Sequence, residues 1–174
     1  LIKVTVKGGV LMIRYANLKD AKRIATININ GWRTAYKGIV SDEELAILDV
    51  EKATKNVRER LIAKPHEIIV IENETEIEGF IGFGTARDED ITKTCAEIYA
   101  VYFDVKYYGN GSAITLMNWV FNRLKDAGYH EVILWVFKDN HRARRFYEKM
   151  GFTTLTKEKW YKEEALEYRL KRLL

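Results

Sequence analysis

The chain is poor in the residues that staple, break or ligate. Among 174 residues there is one cysteine, Cys95, so no intrachain disulfide can form and no Cys cluster can hold zinc. Such usage points to a reducing, cytoplasmic setting. The three histidines, His66, His130 and His141, lie far apart and support neither a metal site nor a Ser-His-Asp triad. No stretch reaches the roughly 18 apolar residues of a membrane span, and Lys3 and Lys7 interrupt the apolar start LIKVTVKGGVLMI, so neither membrane insertion nor secretion is expected. A charge excess of one sign is also missing. The 29 Lys and Arg residues are offset by 25 Asp and Glu, leaving +4, which does not favour nucleic acid as a partner but suits an anionic ligand.

What is present is a long series of apolar-periodic segments. With 47% hydrophobic residues, the length suits one domain with a single sizeable core. Met12-Ile13-Arg14 reads as a natural beginning, so residues 1–11 are expected to be an extension or an extra strand, and 12–174 the domain. Residues 10–15 read as a strand. Asn17 offers a cap for a helix through LKDAKRIATININGWRTAY, which Gly31 and Gly38 interrupt, and Ser41 with Glu44 forms a capping box for a second helix reaching toward Lys64. The only proline, Pro65, ends it. EIIVIEN and IEGFIGFGTA read as a hairpin, TCAEIYAVYFDV as a third strand, and residues 109–127 as a helix closed by Gly128. EVILWVF, NHRARRFYEKM and the pair FTTLTKEKW and ALEYRLKRL complete a strand, a helix and two antiparallel strands. The order predicts an α/β (α+β) layer with one parallel crossover in its middle.

That crossover begins at YYGNGSAITLM, residues 107–117, where a strand exits into a helix. First-turn N–H groups have no partner inside a helix and attract anions, aided by the helix dipole. Gly109 and Gly111 would let backbone approach a phosphate closely, with Asn110 and Ser112 adding polarity without bulk. No Lys follows Gly111 as a Walker loop requires, and a dinucleotide fingerprint needs a further small residue and an acidic partner about 20 residues on. An ordinary strand-to-helix turn therefore stays open as an alternative.

The second stretch, LWVFKDNHRARRFYEKMGF, runs from a strand through a short helix capped by Asn140 to a new strand at Gly151-Phe152. By themselves Phe146 and Tyr147 could be core aromatics and Asn140 a plain cap. Taken with EIYAVYFDVKYYGNGSAITLM, however, the arrangement resembles the Gcn5-related N-acetyltransferase (GNAT) superfamily over residues 12–174. The family's Q/R-x-x-G-x-G/A loop matches Tyr108, Gly109, Asn110, Gly111, Ser112 and Ala113, with Tyr108 in place of Gln or Arg, and Val105 stands where a proline is frequent. GWRTAYKGIVSDEEL is further similar to spermidine/spermine N-acetyltransferases of the Pai type.

The resemblance implies a mixed, mostly antiparallel sheet flanked by helices, acetyl-CoA as cosubstrate without a metal, and a small-molecule amine, a polyamine foremost, as acceptor. A protein or peptide amine acetyltransferase and a non-catalytic acetyl-CoA sensor are the alternatives. It implies that main-chain groups of Val101, Tyr102 and Phe103 meet the pantetheine arm, that residues 108–113 hold the pyrophosphate, that Asn140 bonds the pantetheine, and that Tyr147 is the general acid at sulfur. Arg142, Arg144 or Arg145 would meet the 3′-phosphate or form a solvated face. An amine with pKa near roughly 10 must lose a proton before it attacks. Glu97 is the expected base, because strict alternation places it on one face with Tyr99 and Val101; Asp104 and Asp88 to Asp90 are alternatives. The main-chain N–H near Phe103 would serve the oxyanion. Trp32 and Tyr36 would wall the acceptor cleft, with core packing the competing reading for Trp32. Trp160 and Tyr161, on the closing strands, are candidate homodimer contacts.

Overall fold

The computed structural model describes residues 2–6 and 9–174, with 6 and 154–156 described as backbone only. Eight strands form one sheet: β1 (Ile2–Val6), β2 (Gly9–Tyr15), β3 (Ile68–Glu72), β4 (Ile77–Thr85), β5 (Cys95–Phe103), β6 (Glu131–Phe137), β7 (Thr153–Tyr161) and β8 (Ala165–Leu173). Their spatial order is β1-β2-β3-β4-β5-β6-β8-β7. Every pairing is antiparallel except β5 with β6, which is parallel and is bridged by helix α4 (Ser112–Asp126). The sheet thus has the expected mixed, mostly antiparallel form. β1 pairs with β2 from Ile2↔Ile13 to Val6↔Gly9, so residues 2–6 add an outer strand.

Helices cover both faces. α1 (Ala21–Ala35) and α3 (Val50–Ala63) close one side over Ile24, Ile27, Leu61, Val70 and Phe80; α4 and α5 (His141–Lys149) close the other over Ile81, Ile98, Leu116, Met117, Val120 and Leu134. α1 starts where Asn17 accepts from Lys19 N and Asp20 returns a bond to Asn17 N at 2.7 Å, a reciprocal cap that satisfies two orphan donors. Gly31 does not interrupt this helix as expected. It lies inside it, because a Cβ there would stand 2.5 Å from the Tyr102 ring, and the missing side chain lets α1 settle onto β5.

The second helix expected from Ser41 to Lys64 is two helices. Ser41 Oγ accepts from Glu44 N at 3.3 Å and starts the short α2 (Asp42–Ala46), but Asp49, in an extended conformation, accepts from Lys52 N at 2.6 Å and caps α3 afresh. A second cap so close ends the first helix, since an N-cap residue cannot itself be helical. α2 with the loops beside it packs Val40 and Leu45 on Phe137 and Ala165, joining the first helical region to the last two strands.

β5 and β6 are in register only from Cys95↔Glu131 to Ile98↔Leu134. Beyond that point they no longer pair, and among the described residues no strand fills the gap. The separation coincides with a bulge: Gly82 pairs with Ala100 and Phe83 with Ile98, which leaves Tyr99 as the extra residue of β5.

Candidate active site

The gap between the separated ends of β5 and β6 opens on a cavity of about 310 Å³. Val101, Tyr102 and Phe103 form one wall, Trp135, Val136 and Phe137 the other, while Tyr107 to Gly111 with Asn140, Arg142 and Ala143 close the mouth. A smaller cavity of about 40 Å³ lies on the far side of the gap and shares Tyr36, Val101, Tyr102, Trp135 and Tyr147 with the first. The two adjoin at these shared residues, Tyr147 among them, and make up one passage at the gap.

At the mouth, Gly109 and Gly111 have φ of +84° and +93°, and a Cβ on either would meet nothing within 4 Å. The requirement for glycine is therefore conformational rather than steric. Gly111 is the N-cap of α4 and no side chain caps the helix from that position. Among the described residues, the N–H groups of Gly109, Gly111, Ala113 and Ile114 have no acceptor in the chain, whereas Ser112 N is taken by Asn110 Oδ1 at 2.9 Å. Four unengaged donors at a helix N-terminus with open space before them fit a pyrophosphate. Ser112 itself is buried, its Oγ bonding Asn110 Oδ1 at 2.7 Å, so it builds the loop rather than lining the cavity.

Beneath the loop lies a residue the sequence reading missed. Glu78, 3% exposed on β4, accepts from Asn110 Nδ2 at 2.9 Å and from Asn73 Nδ2 at 3.0 Å, pinning the loop to the sheet. Its signal was an acidic residue at the start of an otherwise apolar strand. Tyr108 lies under Arg142 of α5, whose guanidinium carbon is 3.7 Å from the ring centroid. Both line the cavity, so Tyr108 carries a cation to the mouth by stacking instead of supplying one. Arg144 turns elsewhere, donating to Lys138 O at 3.0 Å.

Tyr147 comes from α5, about two turns past the cap formed when Asn140 Oδ1 accepts from Ala143 N at 3.1 Å. Asn140 faces the cavity with its Nδ2 unengaged by the described residues. Burial, with a smaller contribution from Tyr36, raises the Tyr147 phenol above its ordinary pKa, and no described residue bonds its hydroxyl. Tyr36, the C-cap residue of α1, shares a 2.9 Å hydrogen bond with Tyr102 from β5, and burial raises both phenols too. Trp32 lines neither cavity. It backs Tyr36, ring centroids 4.8 Å apart, and Tyr161 packs on Trp32 and on Phe137 within its own chain, leaving Trp160 as the exposed aromatic of that edge.

The structure corrects the carboxylate assignments. The bulge at Tyr99 reverses the alternation of β5: Ile98, Val101 and Phe103 join the core under α4, while Ala100 and Tyr102 join the core under α1. Glu97 therefore does not share a face with Val101. It is 2% exposed, lines neither cavity, and accepts from Arg87 N and Nε at 3.0 Å each and from a terminal guanidinium nitrogen at 2.5 Å. Asp104 is held by Arg23 at 2.8 Å, and Asp88 and Asp90 by Arg169 at 2.9 and 2.8 Å, with Lys157 also on Asp90. Ion pairing thus occupies four of the five expected acids, the exception being exposed Glu89. The carboxylate that does line the passage is Glu167 of β8, also missed in the sequence. Among the described residues no three His, Cys, Asp or Glu side chains are grouped to hold a metal, and no helix is long and apolar enough to cross a membrane.

The profile of the Acetyltransferase (GNAT) family matches residues 31–152, which takes in the separated strands, the glycine loop and Tyr147. The uncharacterized N-acetyltransferase Rv2669 of Mycobacterium tuberculosis is 28% identical over 136 residues, 78% of this chain and 84% of that protein. In fold, the chain is similar to PaiA N-acetyltransferase of Thermoplasma acidophilum in complex with coenzyme A, with TM-score 0.78 and 19% identity over 94% of this chain and 99% of that one. It is also similar in fold to the ribosomal-protein-alanine N-acetyltransferase of Brucella melitensis, with TM-score 0.73 and 17% identity over 94% and 99% of the two chains. With the family profile covering well over half its length, and with the split strands and phosphate-ready loop in place, the chain belongs to the Acetyltransferase (GNAT) family and is an enzyme of the acetyl-CoA-dependent N-acetyltransferase class.

Proposed function

We propose that the enzyme acetylates a primary amine of a small molecule, a polyamine such as spermidine or spermine foremost, by direct attack in a ternary complex with Tyr147 as general acid. The observation that carries this reading is the position of Tyr147, whose buried phenol lines both cavities at the gap between β5 and β6. A group there reaches a thioester entering from the mouth and an amine entering from the far side. The far cavity, about 40 Å³ and walled in part by Tyr36, Tyr99 and Trp135, is small and mostly polar, which suits the charged end of an amine.

Each residue then has a task. Gly109, Gly111, Ala113 and Ile114 offer N–H groups to the pyrophosphate, and Arg142 on Tyr108 adds a positive charge. Val101 to Phe103 present a strand edge that β6 has left, so the pantetheine amides can pair with it as an added strand. Bound acetyl-CoA supplies an activated acyl carbon. The main chain near Phe103 offers a donor to the oxyanion, and Tyr147, held neutral by burial, gives its proton to the departing thiolate.

Thiol release from acetyl-CoA, measured against polyamines, aminoglycosides, amino acids and peptides with free amines, tests the reading. The expected result is fastest release with a polyamine. Preference for peptides would move the acceptor to protein amines, and no acceleration above hydrolysis by any amine would overturn the catalytic reading. Tyr147→Phe should lower kcat by about 100-fold, the low end for general acid catalysis, with coenzyme A affinity unchanged.

A further inference from the structure

We propose that Glu167 receives the acceptor amine, holding its ammonium group and taking its proton; this rests on the amine acetyltransfer proposed above. Among the described residues lining the main cavity Glu167 is the one carboxylate and Arg142 the one cation, and they come from β8 and α5 respectively. The passage is therefore polarised. Arg142 and the free loop donors at the mouth suit an anion, and Glu167, beside aromatic rings in the same cavity, suits a cation.

Register explains the placement. Glu167 sits opposite Phe137 of β6 and Lys159 of β7, on the face carrying Ala165 and Arg169. Phe137 meets Tyr36 at 4.8 Å and Tyr161 at 5.5 Å between centroids, so the carboxylate is set beside an aromatic cluster. Its side chain is 18% exposed, and its nearest cation, Lys159 Nζ, is 3.6 Å away, longer than a hydrogen bond. Glu97, Asp104 and Asp88 are each bonded by an arginine at 3.0 Å or less, whereas Glu167 lines the cavity with no arginine bonded to it among the described residues. Burial raises its pKa above the ordinary carboxyl value, and Lys159 opposes this. That direction suits a base working near neutral pH. The charged and titratable groups facing it are Lys159 from β7, Tyr36 at the C-cap of α1, Tyr147 from α5 and Arg169 along its own strand; β6 faces it with Phe137 and Trp135.

The proton count closes. Glu167 takes one proton from the ammonium and becomes a carboxylic acid. The nitrogen lone pair then forms the C–N bond, and the C–S bond breaks with its electrons on sulfur. Sulfur takes the Tyr147 proton, the surplus proton on nitrogen passes to the Tyr147 oxygen, and the acid of Glu167 releases its proton to water.

Glu167→Gln keeps the shape and removes the charge. Relative to wild type, kcat/KM for the amine should fall by about 100-fold or more, and the acidic limb of its pH profile should disappear. Calorimetric affinity of spermidine for the protein saturated with coenzyme A should drop by about 10-fold, and affinity for coenzyme A should hold. Lys159→Met should move the wild-type acidic limb to higher pH, because it removes the charge that favours the carboxylate; a purely structural Glu167 would leave that limb in place. Wild-type-like kcat/KM and amine affinity in Glu167→Gln, in an enzyme that does acetylate amines, would overturn the role of Glu167 alone. No amine-dependent release in the wild type would overturn it together with the acetyltransfer reading.

Discussion

Glu97 was the natural base from alternation alone, and its surroundings make it a structural anchor, a difference that stability measurements can decide. Its carboxylate is 2% exposed and is met by three nitrogens of Arg87, all within 3.0 Å, while the Arg87 side chain is 63% exposed. Arg87→Met leaves the carboxylate buried with only the residue 87 N–H. Removing one partner of a buried pair costs about 3–5 kcal/mol, and the exposure of the guanidinium places this case near the lower end, about 3 kcal/mol. For a domain of this size each kcal/mol lowers Tm by about 2–4 °C, so a fall of about 6–12 °C is expected. Glu97→Gln alone should also destabilise, since its amide NH2 faces guanidinium donors. The double variant should melt above Arg87→Met, because it carries no orphaned charge. Thermal unfolding of the four proteins, read beside kcat on the folded fraction, separates the roles. An unchanged Tm in Glu97→Gln with kcat reduced about 100-fold or more would refute the anchor and restore Glu97 as the base.

Gly111→Ala should cost about 1–2 kcal/mol, since an L-residue must adopt φ +93° there, and should weaken coenzyme A binding in calorimetry by placing a methyl before the free donors. A wild-type melting curve would mean that the left-handed turn is not required. Arg142→Ala should weaken coenzyme A binding and flatten its salt dependence, whereas Arg145→Ala should change neither, because Arg142 is the arginine that lines the cavity.

How much could be read from the sequence follows the range of the interactions involved. The glycine loop and the turn at Gly151 were legible because they are local demands on backbone torsion, φ +84° at Gly109 and at Gly151. The strands and their one parallel crossover were legible through periodicity. The second start at Asp49 was also local, and a single capping box at Ser41 hid it. The bulge at Tyr99 is different in kind, because it is set by how β5 pairs with β4, and so strict alternation gave Glu97 the wrong neighbours. Glu167 needed the order β6-β8-β7, in which the final strand inserts beside β6. An acid in ALEYRLKRL marks nothing until that strand is placed.

The extra residue at Tyr99 makes β5 a strand of two halves with opposite parity. Tyr99 is therefore a spacer whose presence, more than its identity, sets that parity. Keeping it while β5 paired with β4 without a bulge would send Tyr102 into the core under α4 and turn Phe103 toward α1, whereas deleting it would join Ile98 to Ala100 in unbroken alternation and leave both residues on their present faces. Over evolutionary time, or in a designed library, this segment should accept loss of that one residue, while an added residue has to be absorbed in a larger bulge or exchange the lining of the passage.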